Sequence, residues 1–579
     1  MSDYYNSMDR EPENWDISAR EIGFTTIPNK DQLDELKAKI RLGASKVELG
    51  FMGAGKSRGE APSPEMYGKD ERQAIKELAR INDIELTTHA SFQIEPISGL
   101  GKQGFDDSSR KNSVDEIKRA IDFAADVTEG GPVVAHLGEF QRPIYKAEEG
   151  KFTAYEYAKV DDDGKQIYDK NGEPVMESEE EQAIVSLVNT EDGSLINLKK
   201  NMEFDLPEYD LDEQGKIKIE ENLPVLKDGG EEVVNKFTWN KLKERLKGDT
   251  GKDATDEDVA KFVYKNQIEE QISNIHYRLG VEKNQMERNL QIREQASDDK
   301  KIEIDREIER SKRAIASEIG QINKMERMKN KFSSIENYGT KKTAQSLAEL
   351  GMYALKKEEQ QKLDKPLYVA PENIFPESYG GHPDEMKKLV IAGRNRMKQM
   401  LINQEGKNEK DAYKIAEQHI RATFDLGHAY TWKRYFKGDP NDPKAFDKWF
   451  MKKIDELNKD EIIGHVHMTD NFGYHDEHLP PGQGSVPFKK AIEKLKEKDV
   501  DFIVEGGREN EKVWLESLKQ FGRPIYGLSR PNKWDPWDVI ENSYMGRTAP
   551  PYFMVGQTSQ QFGERVSKDF SSWAGVPFE

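Results

Sequence analysis

Between residues 20 and 138, short apolar runs alternate with longer stretches whose apolar residues recur every three or four positions. Glu21–Thr26, Lys46–Leu49, Ile84–Thr88 and Pro132–Ala135 have strand length and composition. Asp31–Leu42, with Leu33, Leu36 and Ile40 on one face, Asp70–Ile81 and Ser113–Ala125 have helical spacing. Ser113, with Glu116 three residues on, predicts the N-cap of the third helix. The rhythm returns near Thr343, with strands at Leu367–Ala370, Arg421–Phe424, Ile462–Val466 and Asp501–Val504. Helices fit near Pro383–Leu401, Pro443–Leu457, Pro487–Glu497 and Glu509–Gln520. Eight such repeats predict an α/β fold, a (β/α)₈ barrel interrupted after its fourth strand.

Inside the interruption the period changes twice. From Phe140 to about Asp228, Asp163-Gly164, Asn171-Gly172, Asp192-Gly193 and Gln214-Gly215 punctuate short segments and predict a small antiparallel β region. From Thr238 to Phe332 the chain is charged and helical. Ile268, Ile272, Ile275, Leu279, Met286 and Leu290, then Ile308, Ile315, Ile319 and Ile322 beyond Ala296–Asp299, predict a helical hairpin with a coiled-coil seam. Such an arm either packs on itself or offers a surface for self-association or a protein partner. The expected plan is an N-terminal extension (1–19), a barrel (20–139 and 336–522), a β-rich insertion (140–237), the arm (238–335) and a C-terminal extension (523–579). Trp534, Trp537, Tyr544, Tyr552, Phe553 and Trp573 make that last segment too aromatic for a solvated tail.

Charge and composition narrow the chemistry. Lys and Arg total 88 against 108 Asp and Glu, a net charge of −20, which excludes a generally basic nucleic-acid surface but not a local basic groove. No apolar run is long enough to span a membrane. The first residues lack the basic and apolar regions of a secretory signal, so a cytoplasmic location is expected. There are no cysteines, so any metal must sit on His, Asp, Glu or water.

Functional residues of such a barrel sit at the C-terminal ends of its strands. His89, His136, Glu372, Asp425 with His428, His467 followed by Asp476 and His478, and Glu505 all fall there. Nine donors exceed what one zinc takes and suit two or three ions, which together can generate hydroxide and clamp a phosphodiester. His465 shares a face with His467 by strand alternation and is expected to support the ligands rather than join them. His475 is expected at the surface, and His276, His382 and His419 in structural roles. Gly50–Ser57 matches a phosphate-loop pattern, but Arg58-Gly59-Glu60-Ala61-Pro62 follows instead of a helix, so a loop over the barrel mouth is the better expectation.

The order His, His, Glu, Asp-x-x-His, His, Asp-x-His, Glu resembles the endonuclease IV group (AP endonuclease family 2) of the xylose isomerase-like TIM-barrel superfamily, over residues 20–138 and 340–522. The resemblance implies a hydrolase with three Zn²⁺ ions that cleaves DNA at abasic sites. It would seat the first ion on His89, His136 and Glu372, the second on Glu372, Asp425, His467 and Glu505, and the third on His428, Asp476 and His478. It also implies that Phe92 contacts the DNA, while Lys56 and Arg58 after strand two are candidates for phosphate contact. The wording His478-Leu479-Pro480-Pro481-Gly482 is instead similar to the sugar isomerase/epimerase branch. That branch implies one Mn²⁺ or Mg²⁺ on Glu372, Asp425, His467 and Glu505, a small sugar or sugar phosphate as substrate, and carboxylates as acid and base. Glu372 and Glu505 are thus the catalytic candidates. A third reading is a barrel used as a scaffold through its arm and tail.

Overall fold

The computed structural model of the chain describes residues 15, 17, 21–53, 62–153, 156–159, 165–207, 218–220, 223–225, 234–439, 442–496, 498 and 500–506. Lys56, Arg58, the helix expected over Glu509–Gln520, the aromatic extension 523–579 and most of the N-terminal extension lie outside the described residues. Two compact units divide the chain. Among the described residues, one unit draws on 15–100, 107–153 and 340–506, the other on 101–106 and 156–339.

The first unit is a closed barrel of eight parallel strands: β1 (Ile22–Thr25), β2 (Lys46–Phe51), β3 (Glu85–Ser91), β4 (Gly131–Leu137), β5 (Leu367–Asn373), β6 (Ala422–Asp425), β7 (Ile463–His467) and β8 (Asp501–Val504). Pairing of β1 with both β2 and β8 closes the ring. Side-chain alternation explains why these runs read as strands and which face each residue takes. Val47, Leu49 and Phe51 of β2 pack outward with Leu36, Ile75 and Phe123 in one buried layer under the helices. Inside the barrel, Val134, Tyr368 and Ala370 pack together.

The helices largely follow the expected periodicity: Gln32–Arg41, Lys69–Ile81, Pro383–Glu405, Ala445–Lys459 and Phe488–Leu495. Asp31 caps the first by accepting the Asp34 N–H at 3.0 Å. Ser113 is not an N-cap. The helix runs from Asp107 to Val127, and the buried Ser113 hydroxyl donates to the Ser109 carbonyl. Nothing in Asp107-Ser108-Ser109-Arg110-Lys111-Asn112 breaks a helix, and Asp107 suits the positive end of its dipole.

The second unit contains the expected antiparallel pairs. Ile184–Asn189 pairs with Leu195–Lys199 and with Phe332–Ser334, Phe204–Pro207 with Val234–Phe237, and Glu156–Ala158 with Met176–Ser178. Two long helices, Asp256–Gln295 and Asp298–Met328, form the hairpin. Its base shares a core with Leu187, Trp239 and Val263, and Ile268, Ile272, Ile275, Leu279 and Ile308 are buried. The seam does not persist along its whole length, because Leu290 and Ile319 are each 43% exposed. No helix among the described residues is long and apolar enough to cross a membrane.

Candidate metal centre

Glu372, at the end of β5, is the hub of the rim. Its Oε2 lies 3.3 Å from His89 Nε2 and 3.5 Å from His136 Nε2. Its Oε1 lies 2.9 Å from His467 Nδ1, which is also 3.2 Å from Glu505 Oε2. The nine strand-end candidates gather into three groups whose donor atoms lie within 4.8 Å of one another: His89, His136 and Glu372; Glu372, Asp425, His467 and Glu505; and His428, Asp476 and His478.

Backbone carbonyls fix how three histidines present themselves. Nδ1 of His89 lies 2.8 Å from the Ala90 carbonyl, that of His136 3.1 Å from the Phe92 carbonyl, and that of His428 2.9 Å from the Asn373 carbonyl. A carbonyl only accepts, so each Nδ1 carries a proton and each Nε2 can offer its lone pair to the rim. Asp425 is held by the Thr469 hydroxyl, which donates to it at 2.8 Å, and by the His428 N–H at 2.6 Å. Asn373 locks β5 to β6 by accepting the Asp425 N–H and donating to the Asp425 carbonyl.

Charge is concentrated here. Burial opposes ionisation of Glu372, but His467, His89 and His136 outweigh it and hold the carboxyl well below its usual range. Burial raises Asp425 to about 6; the Glu372 and Glu505 charges add to this, and His428 opposes it. Burial also opposes ionisation of Glu505, which His467 and His478 nevertheless bring down to about 2. His136 is lowered to about 4, chiefly by burial. His428 Nε2, Asp476 Oδ1 and Glu505 Oε2 are buried and make no well-formed hydrogen bond, although Asp476 Oδ2 lies 3.4 Å from the first and His467 Nδ1 3.2 Å from the last. Such atoms cost about 1–3 kcal/mol each, and divalent cations would satisfy all three. The donor set therefore fits bound divalent ions.

The segment 470–486 carries Asp476 and His478 of the third group and has its own anchor. The buried Asp470 carboxylate accepts the N–H groups of Asn471, Gly482, Gly484 and Val486 at 2.7–3.1 Å. A Cβ on Gly484 would lie 2.3 Å from Asp470 Oδ1, so only glycine fits. His478 has φ +48°, a left-handed conformation that is uncommon outside glycine and that brings its Nε2 within 2.7 Å of Asp476 Oδ2.

Beside the rim is a cavity of about 300 Å³ lined by Phe92, Ile94, Pro96, His136, Gly138, Ile374, Phe375, His428, Asp476, His478 and Glu505. Phe92 thus forms part of its wall. His475 is exposed, as expected. His382 and His419 are buried in helix-end roles: His382 accepts the Asp384 N–H, and His419 bonds the Ile415 carbonyl and Glu358. His382 also sits in a cluster with Glu148 and Asp384. There Lys453 supplies the cation, with Nζ 2.6 Å from Asp384 and 3.2 Å from Glu148. The sequence gives no role to Glu48, which lies buried against His465 and His467. Its signal is a lone carboxylate inside an apolar strand, on the face opposite Val47 and Leu49. Asp470, too, is visible in the sequence only as another acid in a His-rich stretch.

A family model described as xylose isomerase-like TIM barrel matches residues 403–523, which carry Asp425, His428, His467, Asp476, His478 and Glu505. An uncharacterized protein of Methanocaldococcus jannaschii is 37% identical over 90 residues, 16% of this chain and 26% of that protein. The chain thus spans about a quarter of the length of the curated relative it matches. The crystal structure of a D-tagatose 3-epimerase-like protein aligns with 86% of this chain and 96% of its own, with a TM-score of 0.37 and 13% identity, too distant a likeness to carry an argument. The closed parallel barrel agrees with the fold that the matched family model describes, and that match covers the last three strands of the barrel.

Proposed function

We propose that the rim is the centre of a multi-ion phosphodiester hydrolase of the endonuclease IV type, acting on DNA at abasic sites. One observation carries the reading: three donor groups converge on one mouth, and two of them share Glu372. A single-ion isomerase needs only Glu372, Asp425, His467 and Glu505, and leaves His89, His136, His428, Asp476 and His478 without a task. Glu372 suits a shared ligand because its two oxygens face different groups, Oε2 toward His89 and His136 and Oε1 toward His467. Bound divalent ions would supply a nucleophile at neutral pH and neutralise charge developing on the phosphodiester oxygens. The protein's own part is orientation. Ala90, Phe92 and Asn373 carbonyls hold three imidazoles in the donor tautomer, Thr469 holds Asp425, and the side chains of Phe92, Ile374 and Phe375 give the adjoining cavity an apolar lining.

A second reading is a divalent-ion sugar isomerase or epimerase, in which Glu372 and Glu505 move a proton between adjacent carbons. The cavity of about 300 Å³ favours it, since that volume suits a monosaccharide-sized ligand. Incision of a duplex with one abasic site separates the two. Cutting by protein replete with Zn²⁺, abolished in Glu372→Gln, supports the hydrolase. No cutting under any divalent ion overturns it, and interconversion of free sugars by the same preparation supports the second reading.

A further inference from the structure

Beneath the rim the barrel interior departs from the aliphatic filling usual in this fold. Glu48 of β2 is fully buried, and its two oxygens face two histidines of β7: Oε1 lies 3.0 Å from His467 Nε2, and Oε2 lies 3.4 Å from His465 Nε2. Thr87 of β3 donates its hydroxyl to Oε2 at 3.3 Å. The Thr423 hydroxyl of β6 lies 3.1 Å from His465 Nδ1. Four strands thus contribute to one buried polar chain that ends on a rim histidine.

Glu48, His465 and His467 also have donor atoms close enough to hold an ion of their own. His467 argues against that arrangement. Its Nδ1 already faces Glu372 and Glu505. A neutral imidazole has one lone pair, so if Nδ1 offers it to the rim, Nε2 carries the proton and must donate it. Glu48 Oε1 is in position to accept it.

We infer that Glu48 is a positioning residue for His467. It accepts the Nε2–H, selects the tautomer that turns the Nδ1 lone pair toward the rim, and makes the ring a stronger donor. The second carboxylate oxygen accepts from Thr87, His465 Nε2 stands 3.4 Å from it without a hydrogen bond, and Thr423 orients His465. The inference rests on reading Glu372, Asp425, His467 and Glu505 as a divalent-ion group, which the hydrolase and isomerase readings share. It adds Glu48 and Thr423 to the nine rim donors and to His465, whose supporting role the sequence already suggests. Replacing a buried charged network with apolar side chains is often neutral for folding. The effect of Glu48 should therefore fall on the ligand it touches rather than on the fold.

Co²⁺ binding to the full chain tests this through affinity and visible absorption, with Glu48→Gln and the double variant Glu48→Leu/His465→Leu. Glu48→Gln keeps the shape and loses the charge; Co²⁺ affinity is expected to fall about 10- to 100-fold, with altered absorption bands. The double variant is expected to lose at least as much while its metal-free melting temperature holds or rises. Without Glu48, the metal-free His467 can move its proton to Nδ1 and donate to Glu372, which satisfies the fold but withdraws the ligand. Wild-type affinity and spectrum in both variants would overturn the inference. So would affinity losses that merely track losses of metal-free melting temperature, or an ion found between Glu48, His465 and His467. If wild-type protein binds no Co²⁺, the underlying metal-centre reading fails with it; if wild type binds and the variants match it, only the role of Glu48 fails.

Discussion

Phe92 lies flat on His89, with ring centroids 3.9 Å apart and planes 9° from parallel, while its carbonyl accepts the Nδ1–H of His136. One residue thereby braces both histidines of the first group and forms part of the cavity wall. A stack of this kind contributes about 0.5–1.5 kcal/mol. Phe92→Ala should weaken Zn²⁺ binding at that group about 3- to 10-fold in a chelator competition. Gly50→Ala should act in the same direction, because its Cβ would come within 2.9 Å of the Phe92 ring.

Metal-free and metal-loaded protein should respond to pH with opposite signs. Asp476, then Glu505, outweigh burial and raise His478 from 6.5 to about 9. A raised histidine pKa adds stability to the metal-free protein that is fully present below about 6.5 and is lost as pH climbs through about 9. An ion requires the unprotonated ring, so loading at pH 7 must release protons and metal affinity must rise with pH across the same window. Calorimetric titration with Zn²⁺ in buffers of different ionisation heat measures the release. Proton uptake, or none, would contradict the assignment of His478.

Asp470 should matter to the third group without touching it. Asp470→Ala leaves four backbone N–H groups without their acceptor, each worth about 1–3 kcal/mol if it stays buried. The expected outcome is faster amide exchange over 471–486 and loss of the ion held by His428, Asp476 and His478, with the other two groups still loaded. Unchanged exchange across that segment would contradict the anchor role.

The Glu148–His382–Asp384 cluster should behave as structure. His382→Ala removes a helix cap worth about 0.5–2 kcal/mol. The melting temperature is expected to fall while the number of bound ions is unchanged, because Lys453 already supplies the positive charge there.

The barrel was legible because each strand is a short apolar run, and six of the eight carry a His, Glu or Asp at or within two residues of their end. The rim residues could be named because strand ends in this fold face one mouth. Glu48 was not legible: in Lys46-Val47-Glu48-Leu49 a carboxylate between apolar residues looks like the solvent side of a half-buried strand, and only closure of the ring turns that face inward. The His478-Leu479-Pro480-Pro481-Gly482 wording points toward sugar chemistry. In the structure its Gly482, with Gly484 just beyond it, supplies N–H groups to Asp470, a backbone requirement that any chemistry on this rim could share. The helix start at Asp107 was missed because a polar first turn looks like a loop until its partners, such as Glu349 for Arg110, are known.

The most direct test of the multi-ion centre is anomalous diffraction from crystals grown with Zn²⁺, counting and locating the ions on the rim. Three peaks are expected: one among His89, His136 and Glu372, one among Glu372, Asp425, His467 and Glu505, and one among His428, Asp476 and His478. A single peak on Glu372, Asp425, His467 and Glu505, with the other five donors empty at saturating metal, would contradict the account.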